Sequence, residues 1–372
     1  MRMEVRVTEA MCLWILVLVL VSFGLIMVFN TSAVFSSQQY GDPYHFFTRQ
    51  IVYALVGIGI MLILSQGDYR TYRSYAPVIL VASTVLLLMV FIPGLGKTVR
   101  GARRWIVLGP FSFQPSELVK LTLVFYLAGV MSKCSAKDVK DLVRGYVRYL
   151  AIAGVLLAII LLQKDFGTTV ITGIAVFSVF FLAGVRWKYL LVTGLLALPL
   201  LGYFLLEDYR WKRVFTFLDP CKDPYGAGFQ LCQSLISFGA GGVFGQGLAG
   251  GNQKLFYLPD AHTDFILSVI AEELGLLGVC VVLLLFLLLL LFGVRIALRA
   301  PDYFGFLLAA SITLLISLQV VLNAAVVMGA LPTKGMVLPF LSYGGTALVV
   351  NLMAVGILMS ISRYCVIRSR PR

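Results

Sequence analysis

Apolar runs of bilayer-crossing length recur along this chain, near residues 11–29, 49–66, 75–92, 117–131, 149–162, 167–185, 188–206, 266–292, 304–329 and 345–362. A hydrocarbon core about 30 Å thick takes roughly 20 apolar residues of helix to cross. In lipid, a helix has the further advantage of satisfying its own backbone hydrogen bonds. The expected fold is therefore an all-α integral membrane protein of about ten transmembrane helices, the fourth and fifth being the shortest. Composition agrees: 60% of the 372 residues are hydrophobic and 13% charged, with mean hydropathy +0.95, which excludes a soluble globular domain. Arg2 and Arg6 precede the first run, but Phe29, Asn30 and Thr31 follow it in place of a small-residue cleavage site. It is read as a helix that is kept, not as a signal peptide.

An even number of spans places both termini on one side, and the loops decide which. With the N-terminus inside, 17 Lys and Arg lie in inward segments, 12 in outward ones, and Lys120 within the fourth span. The positive-inside rule favours this orientation. The outward share is nevertheless high, and Lys97, Arg100, Arg103 and Arg104 fall within eight residues. Such a run is either a solvated loop or an anion site at the outer interface, because Arg and Lys clamp phosphates through charge-assisted hydrogen bonds. A phosphate held there would belong to a lipid carrier.

Gly94-Leu95-Gly96-Lys97-Thr98 is not a P-loop, since Phe91 stands where the first glycine is needed. Glu117 and Lys120 open the fourth span three residues apart, on one helical face. They form either a structural ion pair or, as ionisable groups inside a span, part of a site. Asp165, in Gln163-Lys164-Asp165-Phe166-Gly167, either caps the sixth helix or takes part in chemistry.

The longest outward segment, about 207–263, exceeds a simple connector and should carry function or its own structure. It starts with Arg210, Lys212 and Arg213, and 7 of the 13 residues from Gly239 to Gly251 are glycine. That density allows sharp turns, flexibility or close approach of a ligand. The segment closes on Leu258-Pro259-Asp260-Ala261-His262-Thr263-Asp264-Phe265, just before Glu272 and Glu273. Asp264 is either a helix cap, a general base for a sugar hydroxyl or a ligand for a divalent cation. Between the last two spans, Leu331-Pro332-Thr333-Lys334-Gly335 and Leu338-Pro339-Phe340-Leu341-Ser342-Tyr343-Gly344-Gly345 break helices. Broken backbone at membrane depth implies a cavity or protein cover. The six cysteines lack metal-ligand spacing. Cys221 and Cys232 could pair in an oxidising compartment, but two free thiols are expected.

The ordered set RRWI, QPSELVK, the GFQ and Gly-rich loop, HTDF, AEELG, TKG and LPFLSYGG resembles the SEDS (shape, elongation, division and sporulation) family of bacterial peptidoglycan glycosyltransferases, over about residues 10–365. The FLDP, DPYGAGFQ and AHTDF segments are more similar to the division and sporulation branches than to the elongation branch. Lys164 departs from the usual Pro before Asp165, and Asp260 from the commoner Glu.

The resemblance implies one polytopic domain over 1–372 that polymerises lipid II on the outer face of the bacterial cytoplasmic membrane, at the septum for a division member. Asp264 is implied as the essential residue. Arg103, Arg104 and Lys120, with Glu117 orienting Lys120, would receive the pyrophosphate, and Lys97, Gln163, Asp165, His262, Thr263, Lys334 and Ser342 complete the expected substrate surface. A divalent cation, Mg2+ or Mn2+, could sit at Asp264; no organic cofactor and no nucleic acid is expected. The implied partners are a class B penicillin-binding protein and other division membrane proteins. A lipid II flippase and a non-catalytic division scaffold are the competing readings.

Overall fold

The computed structural model describes residues 4–99, 101–109, 111–205, 216–222, 226, 228–251, 258–259, 261–333 and 335–365. The helices are α1 (Glu4–Tyr40), α2 (His45–Gln66), α3 (Tyr69–Met89), α4 (Pro115–Met131), the short α5 (Ala136–Val139), α6 (Arg148–Leu162), α7 (Phe166–Leu182), α8 (Trp187–Leu205), α9 (Phe229–Gly241), α10 (Ile266–Arg299), α11 (Tyr303–Val327) and α12 (Gly345–Arg363). A π-helical turn, Leu142–Val147, leads into α6. Each predicted span falls on a helix. Among the described residues seven helices are long and apolar enough to cross a bilayer, while those at Phe166–Leu182 and Trp187–Pro199 are apolar but shorter. The protein is a multi-pass membrane protein.

Local chemistry sets the helix starts. Asp68 accepts the Arg70 amide to begin α3, Asp302 accepts that of Gly305 to begin α11, and Pro115 occupies the first turn of α4, where its missing N–H is not needed. At the centre stands α12, with 89% of its most apolar stretch buried against 22% for α2. The close approach of the two rests on glycine: a Cβ on Gly356 would lie 2.6 Å from the Met61 carbonyl oxygen. Small residues at such crossings let helix backbones touch, which substitutes for the missing hydrophobic drive within lipid.

Two findings were not anticipated. Residues 96–113, whose cations were read as either a solvated loop or an anion site, form an antiparallel sheet of β1 (Gly96–Val99), β2 (Ala102–Leu108) and β3 (Phe111–Phe113) in the order β1-β2-β3. Gly96 pairs with Ile106, and Ile106 with Phe113. The second is a break in α10 at Gly275 (φ 67, ψ −167). The Gly-rich segment docks into this break. The Gln246 and Gly247 amides donate to the Glu272 and Glu273 carbonyls (3.0 and 2.9 Å), and the Leu276 and Leu277 amides donate to Gly242 and Val243 (2.9 and 3.2 Å). A broken helix leaves orphan carbonyls and amides, and this loop satisfies both sets. Gly241 and Gly245 are the glycines of this segment at which the two backbones touch, since a Cβ on either would overlap the carbonyl oxygen of Ala271 or Glu273.

The expectation of two free thiols is overturned: Cys221 and Cys232 are joined as a disulfide, Cα to Cα 5.1 Å. The chain folds back before α9 so tightly that a Cβ on Gly228 would meet the Pro220 carbonyl oxygen at 2.2 Å, which brings Cys221 to the side of that helix.

Candidate functional site

Asp264 sits in the turn 261–265 and is half-buried. It does not cap α10: the cap position belongs to Phe265, which makes no side-chain cap bond. Instead the turn is fastened from above and below. Asn323 Nδ2 donates to the Asp264 carbonyl at 3.0 Å and to the Met336 carbonyl at 2.6 Å, tying the turn to the irregular segment before α12. The Tyr343 amide donates to the His262 carbonyl at 2.9 Å. The His262 ring packs among Phe46, Phe35 and Tyr343 with centroids 4.9, 5.7 and 5.8 Å away. The Asp264 carboxylate faces Gly335, where a Cβ would fall 2.8 Å from Oδ2. Thr263 is half-buried.

A second cluster lies at the entry of α4 and α7. Asp165 caps α7, accepting from the Thr168 amide at 3.2 Å, and its other oxygen accepts from Thr168 Oγ1 (2.9 Å) and Gln114 Nε2 (3.1 Å). Arg104 reaches the same carboxylate at 3.6 Å and donates to the Lys164 carbonyl. Cap and charge partner are therefore roles of one residue. Within the first two turns of α4, Lys120 Nζ meets Glu117 Oε2 at 2.8 Å, with both residues buried. Their mutual contact offsets part of the cost of burying two charges.

The entry of α12 bridges the two clusters. Thr346 accepts from the Gln114 amide at 3.0 Å, and Gln50 Nε2 donates to the Ser342 carbonyl at 3.1 Å. Ser342 Oγ accepts the Leu338 amide at 2.9 Å, closing the bend of its own segment. Beside the bridge, an apolar cavity of about 330 Å³ runs between α2, β3, α4 and α12, lined by Tyr53, Val56, Phe111, Phe113, Leu118 and Met353 among others.

Other predicted residues point elsewhere. Arg103 donates to the Phe91 carbonyl (3.1 Å) and Gln163 to that of Leu87 (3.0 Å), so both grip the end of α3. Lys97 is exposed on β1. Lys334, like Arg210, Lys212 and Arg213, lies outside the described residues. Sequence reasoning missed Asn323, Gln114 and Gln50, which hold the site together. A side-chain amide four residues after another, Gln319, within the apolar run 304–329 was the available signal for Asn323.

Among the described residues no three His, Cys, Asp or Glu side chains converge. A divalent cation held by Asp264 would therefore complete its shell with water and substrate phosphate oxygens, as suits Mg2+ or Mn2+.

A multi-pass helical bundle with ionisable residues buried at the entries of α4 and α7 is a membrane protein carrying an intramembrane polar site. The chain belongs to the cell cycle protein family that groups FtsW, RodA and SpoVE, whose model matches residues 10–366. It is 48% identical over 344 residues, 92% of each chain, to the probable peptidoglycan glycosyltransferase FtsW of Geobacter sulfurreducens. With the stage V sporulation protein E of Bacillus subtilis it shares 43% over 361 residues, 96% of this chain and 98% of that one. Among solved structures it is similar to a chain of a peptidoglycan synthase complex that coordinates polymerization and crosslinking (TM-score 0.77, 32% identity, 94% and 96% covered). It is also similar to the rod shape determining protein RodA of Thermus thermophilus (TM-score 0.67, 29% identity, 94% and 95% covered).

Proposed function

We propose that this chain is a peptidoglycan glycosyltransferase that polymerises lipid II at the outer face of the bacterial cytoplasmic membrane, in septal synthesis. The observation that supports this reading is the hydrogen-bonded bridge from the Asp264 turn through the entry of α12 to Gln114 and the Arg104–Asp165 cluster, with the Glu117–Lys120 pair on the same helix as Gln114's bonded neighbour Ser116 and an apolar cavity alongside for a polyprenyl tail.

The acceptor's C4 hydroxyl oxygen bonds to the anomeric carbon of the donor MurNAc, and the bond from that carbon to the pyrophosphate oxygen breaks. The electron pair leaves on undecaprenyl pyrophosphate, and the hydroxyl proton passes to the Asp264 carboxylate. Inversion yields a β-1,4 link. Arg104 and Lys120 face the charge that develops on the leaving group, where preorganised electrostatics usually contribute most. Where a divalent cation binds, Asp264 would hold it, and the ion would add positive charge toward the pyrophosphate. A class B penicillin-binding protein is the proposed partner that crosslinks the product, alongside other division membrane proteins.

The break in α10 also favours a second reading, since discontinuous helices build transporter sites. Proteoliposomes holding parent or Asp264→Asn protein separate the two. Glycan polymer made by the parent and lost in the variant supports the polymerase. Undiminished polymer in the variant sinks the assignment of Asp264, and lipid II flipping without any polymer favours a flippase.

A further inference from the structure

At the opposite end of the bundle from Asp264, two connections fold into one surface that the proposed reaction does not use. The first runs from α4 through α5 and the π-helical turn to α6 and carries Lys133, Lys137, Lys140 and Arg144; the second, between α7 and α8, carries Arg186 and Lys188. All six are exposed, as is Arg148 at the start of α6.

Local bonding holds this surface in shape. Ser135 caps α5, and Asp141 accepts the Val143 and Arg144 amides at 3.0 and 2.8 Å. The chain turns so tightly that a Cβ on Gly145 would lie 2.0 Å from the Asp138 carbonyl oxygen. Tyr146, buried beneath, stacks on Tyr189 (5.9 Å) and donates to Thr193 Oγ1 (2.9 Å). Tyr189 in turn reaches the Lys140 carbonyl at 3.4 Å.

The two local carboxylates, Asp138 and Asp141, offset only part of the charge of seven cations, although Asp141 feels Arg144 and Arg186. Asp141 is engaged by backbone amides and Asp138 by Ser135 Oγ, and none of the seven cations makes an ion pair among the described residues. Between them, apolar side chains stand in the open: Val143 is 65% exposed, Trp187 61% and Leu142 46%. A soluble acidic protein would leave these without cover. A membrane interface covers them, because Trp prefers the headgroup level and Lys and Arg extend from apolar stems to charged headgroups. The segment Leu142–Leu162 is only 28% buried, so lipid already surrounds the adjoining helix.

We propose that this surface binds the phosphates of anionic phospholipids, drawing them from the bulk of neutral lipid to the α4–α6 and α7–α8 connections. Juxtamembrane cations attract such headgroups additively and within a Debye length.

The test is acyl-chain spin-labelled phosphatidylglycerol in phosphatidylethanolamine nanodiscs holding the full chain, with the motionally restricted fraction read against labelled phosphatidylethanolamine. The parent should select phosphatidylglycerol several-fold. Lys137→Gln/Lys140→Gln/Arg144→Gln/Arg186→Gln should lose most of that preference, and the charge-keeping Lys137→Arg/Lys140→Arg/Arg144→Lys/Arg186→Lys should retain it. Unchanged selectivity in the neutral variant, or an equal loss in the charge-keeping one, overturns the proposal. So does displacement of the lipid by poly-glutamate at matched charge, which would place an acidic protein there.

Discussion

Gly275 and Gly245 stand so close that a Cβ on Gly275 would lie 2.4 Å from the Gly245 amide nitrogen, and one on Gly245 would lie 2.2 Å from the Glu273 carbonyl oxygen. Neither neighbour is a side chain that can swing aside. Gly275 also adopts φ 67, ψ −167, a region essentially closed to residues with a Cβ. Gly275→Ala should therefore cost at least the ~1–3 kcal/mol of backbone strain, with the overlap added. A fall in melting temperature and faster proteolysis near 239–251 would show it. Gly59, in α2 with no atom within 4 Å of a Cβ, is the control: Gly59→Ala should be neutral or stabilising.

The Cys221–Cys232 disulfide ties the segment before α9 to a helix clamped at Ser234, whose hydroxyl lies 2.8 Å from that of Ser268 and donates to the Val327 carbonyl. Closing a short loop of this kind typically contributes about 2–4 kcal/mol. Cys221→Ser/Cys232→Ser, or mild reductant on the parent, should lower thermal stability by a similar amount. Because Cys280 is exposed and Cys12 and Cys134 half-exposed, thiol labelling before and after reduction must gain two sites.

Asp302 couples α3 to α11. It accepts from Tyr69 Oη at 2.5 Å, the Gly305 amide at 2.8 Å and Arg70 Nε at 3.0 Å. Burial pulls its carboxyl up, but these donors outweigh burial and hold it below the usual carboxylate range. A depressed folded-state pKa means that the carboxylate's contribution is fully present above its unfolded value of about 3.9. That contribution is lost as pH falls through the folded value. Stability measured on a descending pH series should thus show an acid limb that Asp302→Asn flattens, with the variant less stable than the parent near neutrality.

The spans were legible because lipid imposes one simple rule on length and polarity. Even so, α3 starts at Tyr69, not 75, since Asp68 supplies a cap ahead of the apolar run. The break at Gly275 was not legible: the glycine follows Glu272-Glu273-Leu274 inside a long apolar run, where one Gly need not end a helix, and the cause of the break lies some thirty residues away in Gly242 to Gly247. The sheet was hidden by its own cations, since Arg103 and Arg104 on β2 drew attention to charge and not to strand pattern. Residue types at the site were readable, but their roles were not, because Asp165 serves as helix cap and Arg104 partner at once. Which polar groups converge depends on Asn323, Gln114 and Gln50, each an amide whose partners are far away in sequence.

The buried Glu117–Lys120 pair allows structure and function to be separated. Both residues are almost wholly enclosed, at 8% and 3% exposure, so removing one partner leaves an uncompensated charge out of water. Lys120→Met alone should destabilise by about 3–5 kcal/mol. Glu117→Gln/Lys120→Met removes both charges, and replacing a buried pair by neutral groups is often tolerated, so the double variant should recover most of the lost thermal stability. If Lys120 supplies charge to the departing pyrophosphate, glycan synthesis by that stable double variant must stay low, because its cation is gone. Restored polymer together with restored stability would reduce the pair to a structural ion pair and leave Arg104 as the cation facing the leaving group.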